Sequence, residues 1–253
     1  MTGGGSRPVA LVTGGVRRVG LAIAQRLARA GMDLVVTYRS SEEDAASVRA
    51  VLAELGADVR LERLDLDDHA QVESVGARLA RELGRLDALV LSASSYGATP
   101  LAEVTAETGL ALYRVNALAP LLLCKWLSPL LAESSLEAGG SIVAMADMHA
   151  MGRPRVGFSA YSMSKAALVE MVRSLARELA PAVRVNGIAP GVVAWPEAGV
   201  ESQKRAQEQY LSRVPLGRAG TPEDAAEMVR WLVLDAGYVT GEVIRLDGGR
   251  WLA

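Results

Sequence analysis

Apolar residues come in short unbroken runs, separated by longer stretches with helical periodicity. The runs at 9–12, 34–38, 59–64, 88–91, 141–146, 183–188 and 242–246 read as seven strands. Helical patterns lie between them, at about 17–30, 42–55, 68–83, 106–131, 160–179 and 222–234. The strand runs are continuously apolar rather than alternating, as in strands covered by helices on both faces. Gly31, Gly56 and Gly84 each follow a helix where a C-terminal cap belongs. Repeated strand–helix alternation predicts an α/β fold with one doubly wound parallel sheet. A single domain from residue 8 to residue 253 is expected, with a flexible glycine-rich tail over residues 1–7.

Composition narrows the partners. Among 253 residues, 27 are Lys or Arg and 29 are Asp or Glu, a net charge of −2 that gives no reason to expect nucleic acid or an anionic membrane surface. One cysteine, Cys124, cannot form an internal disulfide, and with two histidines no metal site is expected. The longest apolar run, 117–124, contains Pro120 and falls far short of the ~18–20 residues of a membrane span. Residues 1–8 lack the apolar stretch of a signal peptide, so a soluble cytoplasmic protein is expected.

The first strand runs into Thr13-Gly14-Gly15-Val16-Arg17-Arg18-Val19-Gly20, which opens a helix. Glycines here permit a tight turn and close backbone approach to a pyrophosphate, while the helix N-terminus offers N–H donors. The context marks a Rossmann-like dinucleotide site. An NAD site usually carries an acid at the end of the second strand to hold the ribose 2′-hydroxyl. Here that place holds Tyr38-Arg39-Ser40, and Asp33 lies at the other end of the strand. A guanidinium beside a hydroxyl suits a 2′-phosphate, so NADP(H) is preferred. The alternative is that Arg39 is a solvated loop charge and Ser40 a helix cap. Asp65, in Leu64-Asp65-Leu66, either accepts from an adenine amino group or caps the following helix.

Tyr161-Ser162-Met163-Ser164-Lys165 sets a tyrosine and a lysine four apart, hence on one helical face. A neighbouring ammonium favours tyrosinate, so the spacing predicts a lowered Tyr161 pKa and a role as proton donor.

Together these features resemble the short-chain dehydrogenase/reductase family over nearly the whole chain, from Val9 to Gly249. The resemblance implies that Asn116 helps hold a water relay to Lys165, and that Lys165 binds the nicotinamide ribose. It places Asp65, Leu66, Ser92, Ala93 and Ser94 along the cofactor, with Pro190, Gly191 and Val192 near the nicotinamide and a mobile lid after them. Three departures look like the pteridine reductase branch. Arg18 stands where the turn's second glycine is usual. Leu91-Ser92-Ala93-Ser94-Ser95-Tyr96 replaces Asn-Asn-Ala-Gly, and Asp147 ends the fifth strand where a serine is usual.

The branch implies a hydride transfer from NADPH to a pteridine. Tyr96 would stack on the pterin, Arg18 and Ser94 would bond pterin and phosphate edges, and Asp147 would assist Tyr161 in delivering a proton. As rival readings, Tyr96 is a loop aromatic and Asp147 caps a turn. Asp147 lies one residue further from Tyr161 than the branch places its acid, so Met148 holds the nominal register and an insertion through Pro154 is assumed. Trp195 stands past Pro190-Gly191, where a serine is expected, and would cover one side of the pocket. A homotetramer is implied by the resemblance, paired through the long fourth and fifth helices and the C-terminal strand. The rival functions are a carbonyl reductase, for example of 3-oxoacyl thioesters, and a catalytically silent NADPH sensor.

Overall fold

The computed structural model describes residues 7–40, 42–197 and 202–253. The strands are β1 (Val9–Val12), β2 (Asp33–Tyr38), β3 (Val59–Arg63), β4 (Ala88–Leu91), β5 (Gly140–Met145), β6 (Val183–Pro190) and β7 (Val243–Leu246). They form one sheet in the order β3-β2-β1-β4-β5-β6-β7, and every pairing is parallel. Crossing from β3 to β4 reverses the winding beside β1, which opens a ligand crevice at the carboxyl ends of β1 and β4. The expected doubly wound, Rossmann-like sheet is thus present.

The helices are α1 (Arg18–Arg29), α2 (Glu42–Glu54), α3 (His69–Glu82), α4 (Ala106–Tyr113), α5 (Ala119–Ala132), α6 (Ser159–Glu178), α7 (Lys204–Leu211) and α8 (Pro222–Leu234). Six of the strands feed two cores by alternation; β3 feeds one, and its Arg60 and Glu62 form an ion-pair network with Arg78 and Glu82 on the other face. Ala10, Val12, Leu34, Val36 and Val90 pack with Ile23 and Leu27 of α1 and Val229 and Leu232 of α8. Leu11, Val35, Leu89 and Leu91 face the other way, towards α3, α5 and α6. Fully burying one such Leu is worth ~1.5–3 kcal/mol, which is why both strand faces are apolar. Arg184 of β6 is buried and donates to the carbonyls of Leu232, Val233 and Ala236, pinning the α8 C-terminus to the sheet.

Several expectations change. The tail does not extend to Arg7, whose guanidinium donates to the Gly31 and Gly56 carbonyls at 3.1 and 2.6 Å; residues 1–6 lie outside the described residues. β6 runs two residues beyond the predicted end at 188, to Pro190, paired with β7. α7 is additional: short and highly charged, with no buried residue, it carries no apolar face for periodicity to reveal. The pattern at 106–131 is one helical rod in three pieces, because a π turn, Arg114–Leu118, joins α4 to α5. The Ala119 N–H donates to Arg114 O, and Pro120 has no N–H, so the Asn116 carbonyl loses its α-helical donor. By length and composition the 27-residue rod is apolar enough to cross a membrane, but it is a core helix, with Leu123, Leu127 and Leu131 buried against Val72, Val75 and Leu79 of α3.

Candidate active site

A cleft of about 1240 Å³ runs along the carboxyl ends of the strands. It is lined by Gly14, Arg17, Arg18, Val19, Gly20, Tyr38 and Arg39 at one end, by Asp65, Leu66, Ser92, Ala93, Ser94 and Tyr96 along the middle, and by Asp147, Tyr161, Lys165, Pro190, Gly191, Val192 and Trp195 at the other. The predicted site residues are therefore brought together, with two exceptions. Ser40 is exposed beside Arg39 but does not line the cleft, and Asn116 lies buried behind it.

The nucleotide end is set by backbone. Thr13 is buried at the end of β1, and its hydroxyl accepts from the N–H groups of Ser92 and Ala93 at 2.9 and 3.0 Å, tying the loop after β4 to the turn after β1. Gly14 has φ +64°, and its N–H donates to the Thr37 hydroxyl at 3.1 Å. A Cβ on Gly20 would lie 2.2 Å from the Gly14 carbonyl oxygen, so only glycine lets the helix pack this close to the turn. Arg18 has φ +50°, the only non-glycine residue at positive φ among those described. It holds the left-handed position that glycine usually takes in the turn. Its guanidinium donates to the carbonyls of Ala194 and Trp195 at 3.2 and 2.5 Å rather than pointing into open cleft. Asp65 accepts from the Asp67 N–H at 3.0 Å; Asp68, not Asp65, caps α3 by accepting from Gln71 N.

These residues fit a nicotinamide dinucleotide: a glycine cradle that a Cβ would fill, helix N–H groups, and two arginines, Arg17 and Arg39, on the wall where phosphates would lie. When bound, such a cofactor supplies or accepts a hydride at the far end of the cleft.

At that end, Tyr161 and Lys165 sit on the first turns of α6, 6% and 3% exposed. The Tyr161 hydroxyl donates to Asp147 Oδ2 at 2.9 Å. Asp147 Oδ1 accepts from the His149 N–H at 2.7 Å, so the residue caps a short 3₁₀ turn and holds the tyrosine at once. Both readings of Asp147 are thus present in one side chain. Met148 is buried, 1% exposed, and offers nothing to Tyr161.

The expected lowering of the Tyr161 pKa is not what the site produces. Burial, then the Asp147 carboxylate, pushes the phenol well above its ordinary value. Lys165 turns away, donating to the Met145 carbonyl at 2.7 Å, and burial pushes its ammonium down to about 8. Tyr161 is a firmly protonated donor beside a carboxylate.

The Asn116 side chain is fully engaged within the protein. Its amide N–H groups donate to Ser95 O and Ser164 Oγ, both at 2.9 Å; its Oδ1 accepts from Ser94 Oγ at 3.0 Å and Ser95 N at 2.8 Å. The side chain is saturated. It is a positioning residue for the Ser94–Tyr96 loop and α6, and any link to Lys165 would run through its backbone carbonyl.

Tyr96 meets the Tyr161 ring edge-on at 5.0 Å and the Phe158 ring at 5.4 Å, and its hydroxyl accepts from Arg155 at 2.7 Å. Trp195 packs edge-on against Tyr210 at 5.5 Å, and Tyr210 accepts from the Val192 N–H at 3.0 Å. A Cβ on Gly191 would lie 2.7 Å from the Tyr210 oxygen. Tyr210, Phe158, Arg153, Arg155 and Arg213 belong to this end but escaped sequence reading, since no local motif carries them; Arg250 was legible only as the last residue of Asp247-Gly248-Gly249-Arg250, which resembles the pteridine reductase branch, with no role attached. Cys124, by contrast, is buried in α5 with its thiol pushed up to about 12, which leaves it inert.

The profile of the family described as enoyl-(acyl carrier protein) reductase matches residues 15–250. The chain belongs to the short-chain dehydrogenase/reductase family. Family relatives include a 3-oxoacyl-[acyl-carrier-protein] reductase of Mus musculus, 33% identical over 242 residues, covering 95% of this chain and 97% of the relative. Pteridine reductase 1 of Leishmania tarentolae is 33% identical over 287 residues, with 98% of each covered. The crystal structure of a blue fluorescent protein from a metagenomic library, in complex with NADPH, superposes with a TM-score of 0.86 at 33% identity, covering 96% of this chain and 97% of that one. As a family member the protein is an NAD(P)-dependent oxidoreductase.

Proposed function

We propose that the protein reduces a C=N bond of a pteridine ring (a dihydropterin, dihydrofolate or quinonoid dihydropterin) with NADPH. The observation that carries this reading is the Tyr161–Asp147 hydrogen bond at 2.9 Å with Tyr96 packed across it. A phenol whose pKa is raised protonates only a strong base, and a ring nitrogen whose neighbouring carbon takes hydride becomes one. Losing that proton would set a tyrosinate against the Asp147 carboxylate. The buried Lys165 charge offsets this, and a proton entering on Asp147 restores the phenol. Tyr96 offers a face for offset or edge stacking of a flat bicycle, worth ~0.5–1.5 kcal/mol beyond burial. NADPH is favoured over NADH because Arg39 lines the cleft at the end of β2, while Asp33 is at the opposite end, accepting from Asp58 N at 2.9 Å.

Purified protein is offered NADPH with dihydrobiopterin, dihydrofolate or an acetoacetyl thioester, and absorbance is followed at the nicotinamide band. NADPH oxidation with a pteridine is the expected result. Oxidation with the thioester alone would replace this reading by a carbonyl reductase, and oxidation with none of them by a binding protein.

A further inference from the structure

The chain carries a net charge of −2, yet the described side chains lining the cleft include eight Lys or Arg and only three Asp. Converging like charges in a cleft raise the local concentration of an oppositely charged ligand. Arg17 and Arg39 are accounted for by the phosphates of a dinucleotide, Arg18 by the Ala194 and Trp195 carbonyls, Arg155 by the Tyr96 hydroxyl, and Lys165 by the reaction. Arg153, Arg213 and Arg250 are not. They belong to the other end, since β2, which presents Arg39, is three strands from β5, which presents Asp147, roughly 14 Å at ~4.8 Å per strand.

Arg153 and Arg250 are tied to the reacting pair by a short chain of contacts, and Arg213 joins them through its backbone N–H, which donates to the Tyr210 carbonyl at 3.1 Å, and through its place on the cleft wall. Asp147 accepts from His149 N, and His149 Nδ1 lies 2.8 Å from Arg153 O. The Arg153 guanidinium donates to Arg250 O, and the Arg250 guanidinium lies 5.6 Å from the centre of the Tyr210 ring. Arg250 is only 8% exposed, and its Nε has no hydrogen-bond partner. Its Nη1 donates at 3.2 Å to a terminal carboxylate oxygen of Ala253, which also takes a bond from Arg153. Asp247 is a further offset, but its carboxylate oxygens are taken by the N–H groups of Gly249 and Trp251, both at 2.9 Å. Burial and the charges of Arg153 and Arg213 hold the Arg250 pKa below its ordinary value; the three guanidinium charges meet two carboxylates, Asp247 and the terminal one of Ala253, which leaves one positive charge in excess. Burying an incompletely paired cation is costly, and a ligand that brings the counter-charge removes that cost.

We propose that Arg153, Arg213 and Arg250 form an oxyanion subsite, and that the substrate reduced at Tyr161 carries a carboxylate or phosphate on a tail extending from the reacting ring. The inference rests on the pteridine reading for the identity of the ring, and not for the anion. Within that reading it selects pteridines with an anionic tail over those with a neutral one.

The test compares kcat/KM for dihydrofolate (carboxylate tail), dihydroneopterin monophosphate (phosphate tail) and dihydrobiopterin (neutral tail), with NADPH saturating. At least one anionic substrate is expected to exceed the neutral one by about 10-fold or more, the scale of one or two charge-assisted hydrogen bonds, and the better one identifies the tail. Arg213→Gln, at an exposed position, is expected to collapse that preference about 10-fold through KM. Arg250→Gln is expected to do the same, and Arg213→Gln keeps the test decisive if the buried variant does not fold. Equal kcat/KM for anionic and neutral pteridines, or a preference unchanged in Arg213→Gln, would overturn the subsite. If no pteridine is reduced, the pteridine reading fails alone. The subsite is then judged by calorimetry of p-aminobenzoyl-glutamate binding to the NADPH-loaded protein, where binding weakened by Arg213→Gln supports it and absence of binding overturns it.

Discussion

At the β1–β2 end of the cleft the ligand surface is backbone, and at the β5–β7 end it is side chain. Gly14, Gly20 and the Thr13 hydroxyl bond shape the first end within a few residues of one another, between consecutive elements. The second end draws Tyr96, Asp147, Arg153, Tyr161, Trp195, Tyr210 and Arg250 from segments scattered over the latter two-thirds of the chain. The first end can serve any member of a family that shares a cofactor. The second must be rebuilt for each substrate, and its charges and rings can change without disturbing the sheet. If this division holds, damage at one end should leave the other working.

The largest expected effect is from Tyr161→Phe. Removing the proton donor is expected to lower kcat by about 10³-fold, within the range for general acids, while NADPH affinity from fluorescence titration changes by no more than about 3-fold. A parallel loss of NADPH binding would break the separation between the two ends. Asp147→Asn keeps an acceptor for His149 N and removes the charge that raises the Tyr161 pKa. The alkaline limb of its pH–rate profile is therefore expected to move to lower pH.

A second test uses stability. Lys165 titrates at about 8 in the folded protein against 10.5 for an ordinary lysine. The unfolded chain therefore binds more protons between those values. The burial penalty is complete below pH 8 and is relieved as pH rises to 10.5. Lys165→Met is expected to be more stable than the wild type by roughly 3 kcal/mol at pH 7, measured by urea unfolding, with the difference vanishing near pH 10.5. A constant difference across that range would mean that Lys165 is not held against its charge. The same variant is expected to be inactive, so the substrate end trades stability for chemistry.

The contrast also explains what could be read from the sequence. Strands whose two faces feed two cores must be apolar throughout, β3 with its Arg60 and Glu62 face being the exception, and helices with one buried stripe show their period, so the sheet and six of its helical stretches were legible. The glycine turn was legible because backbone approach demands glycine at fixed spacing. The π turn was not, because a shifted hydrogen bond leaves no trace in periodicity, although Pro120 removes the donor that makes room for it. Tyr-x-x-x-Lys fixed a shared helical face but not which charge lies nearer the phenol. Asp147, from another element, takes the hydroxyl, while Lys165 finds the Met145 carbonyl. Arg153 and Arg250 meet across 97 residues, and no local pattern carries such a meeting.

Cofactor choice gives a third, smaller test of the nucleotide end. Arg39→Ala is expected to lower the ratio of NADPH to NADH affinity by about 10- to 100-fold, the scale of a bidentate guanidinium–phosphate contact. Binding of NADH itself is expected to be little changed. An unaltered ratio would return Arg39 to the role of a solvated loop charge.

Arg18 gives the smallest effect, and it tests the boundary itself. The residue lies in the turn of the first end, yet its guanidinium reaches the Ala194 and Trp195 carbonyls of the second. Arg18→Gly relieves a left-handed φ that costs a non-glycine residue about 1 kcal/mol. It also removes two hydrogen bonds from a partly exposed side chain, worth about 1 kcal/mol each at most. The terms nearly cancel, so stability is expected to shift by less than about 1 kcal/mol. What changes is the tie between the ends. Trp195 keeps its contact with Tyr210 but loses its anchor to the turn. Hydrogen exchange at residues 193–197 is expected to quicken in Arg18→Gly while exchange in β1 and α1 stays as in the wild type. If exchange at 193–197 stays as slow as in the wild type, the Tyr210 packing alone holds the segment, and the two ends are joined by the sheet and nothing else.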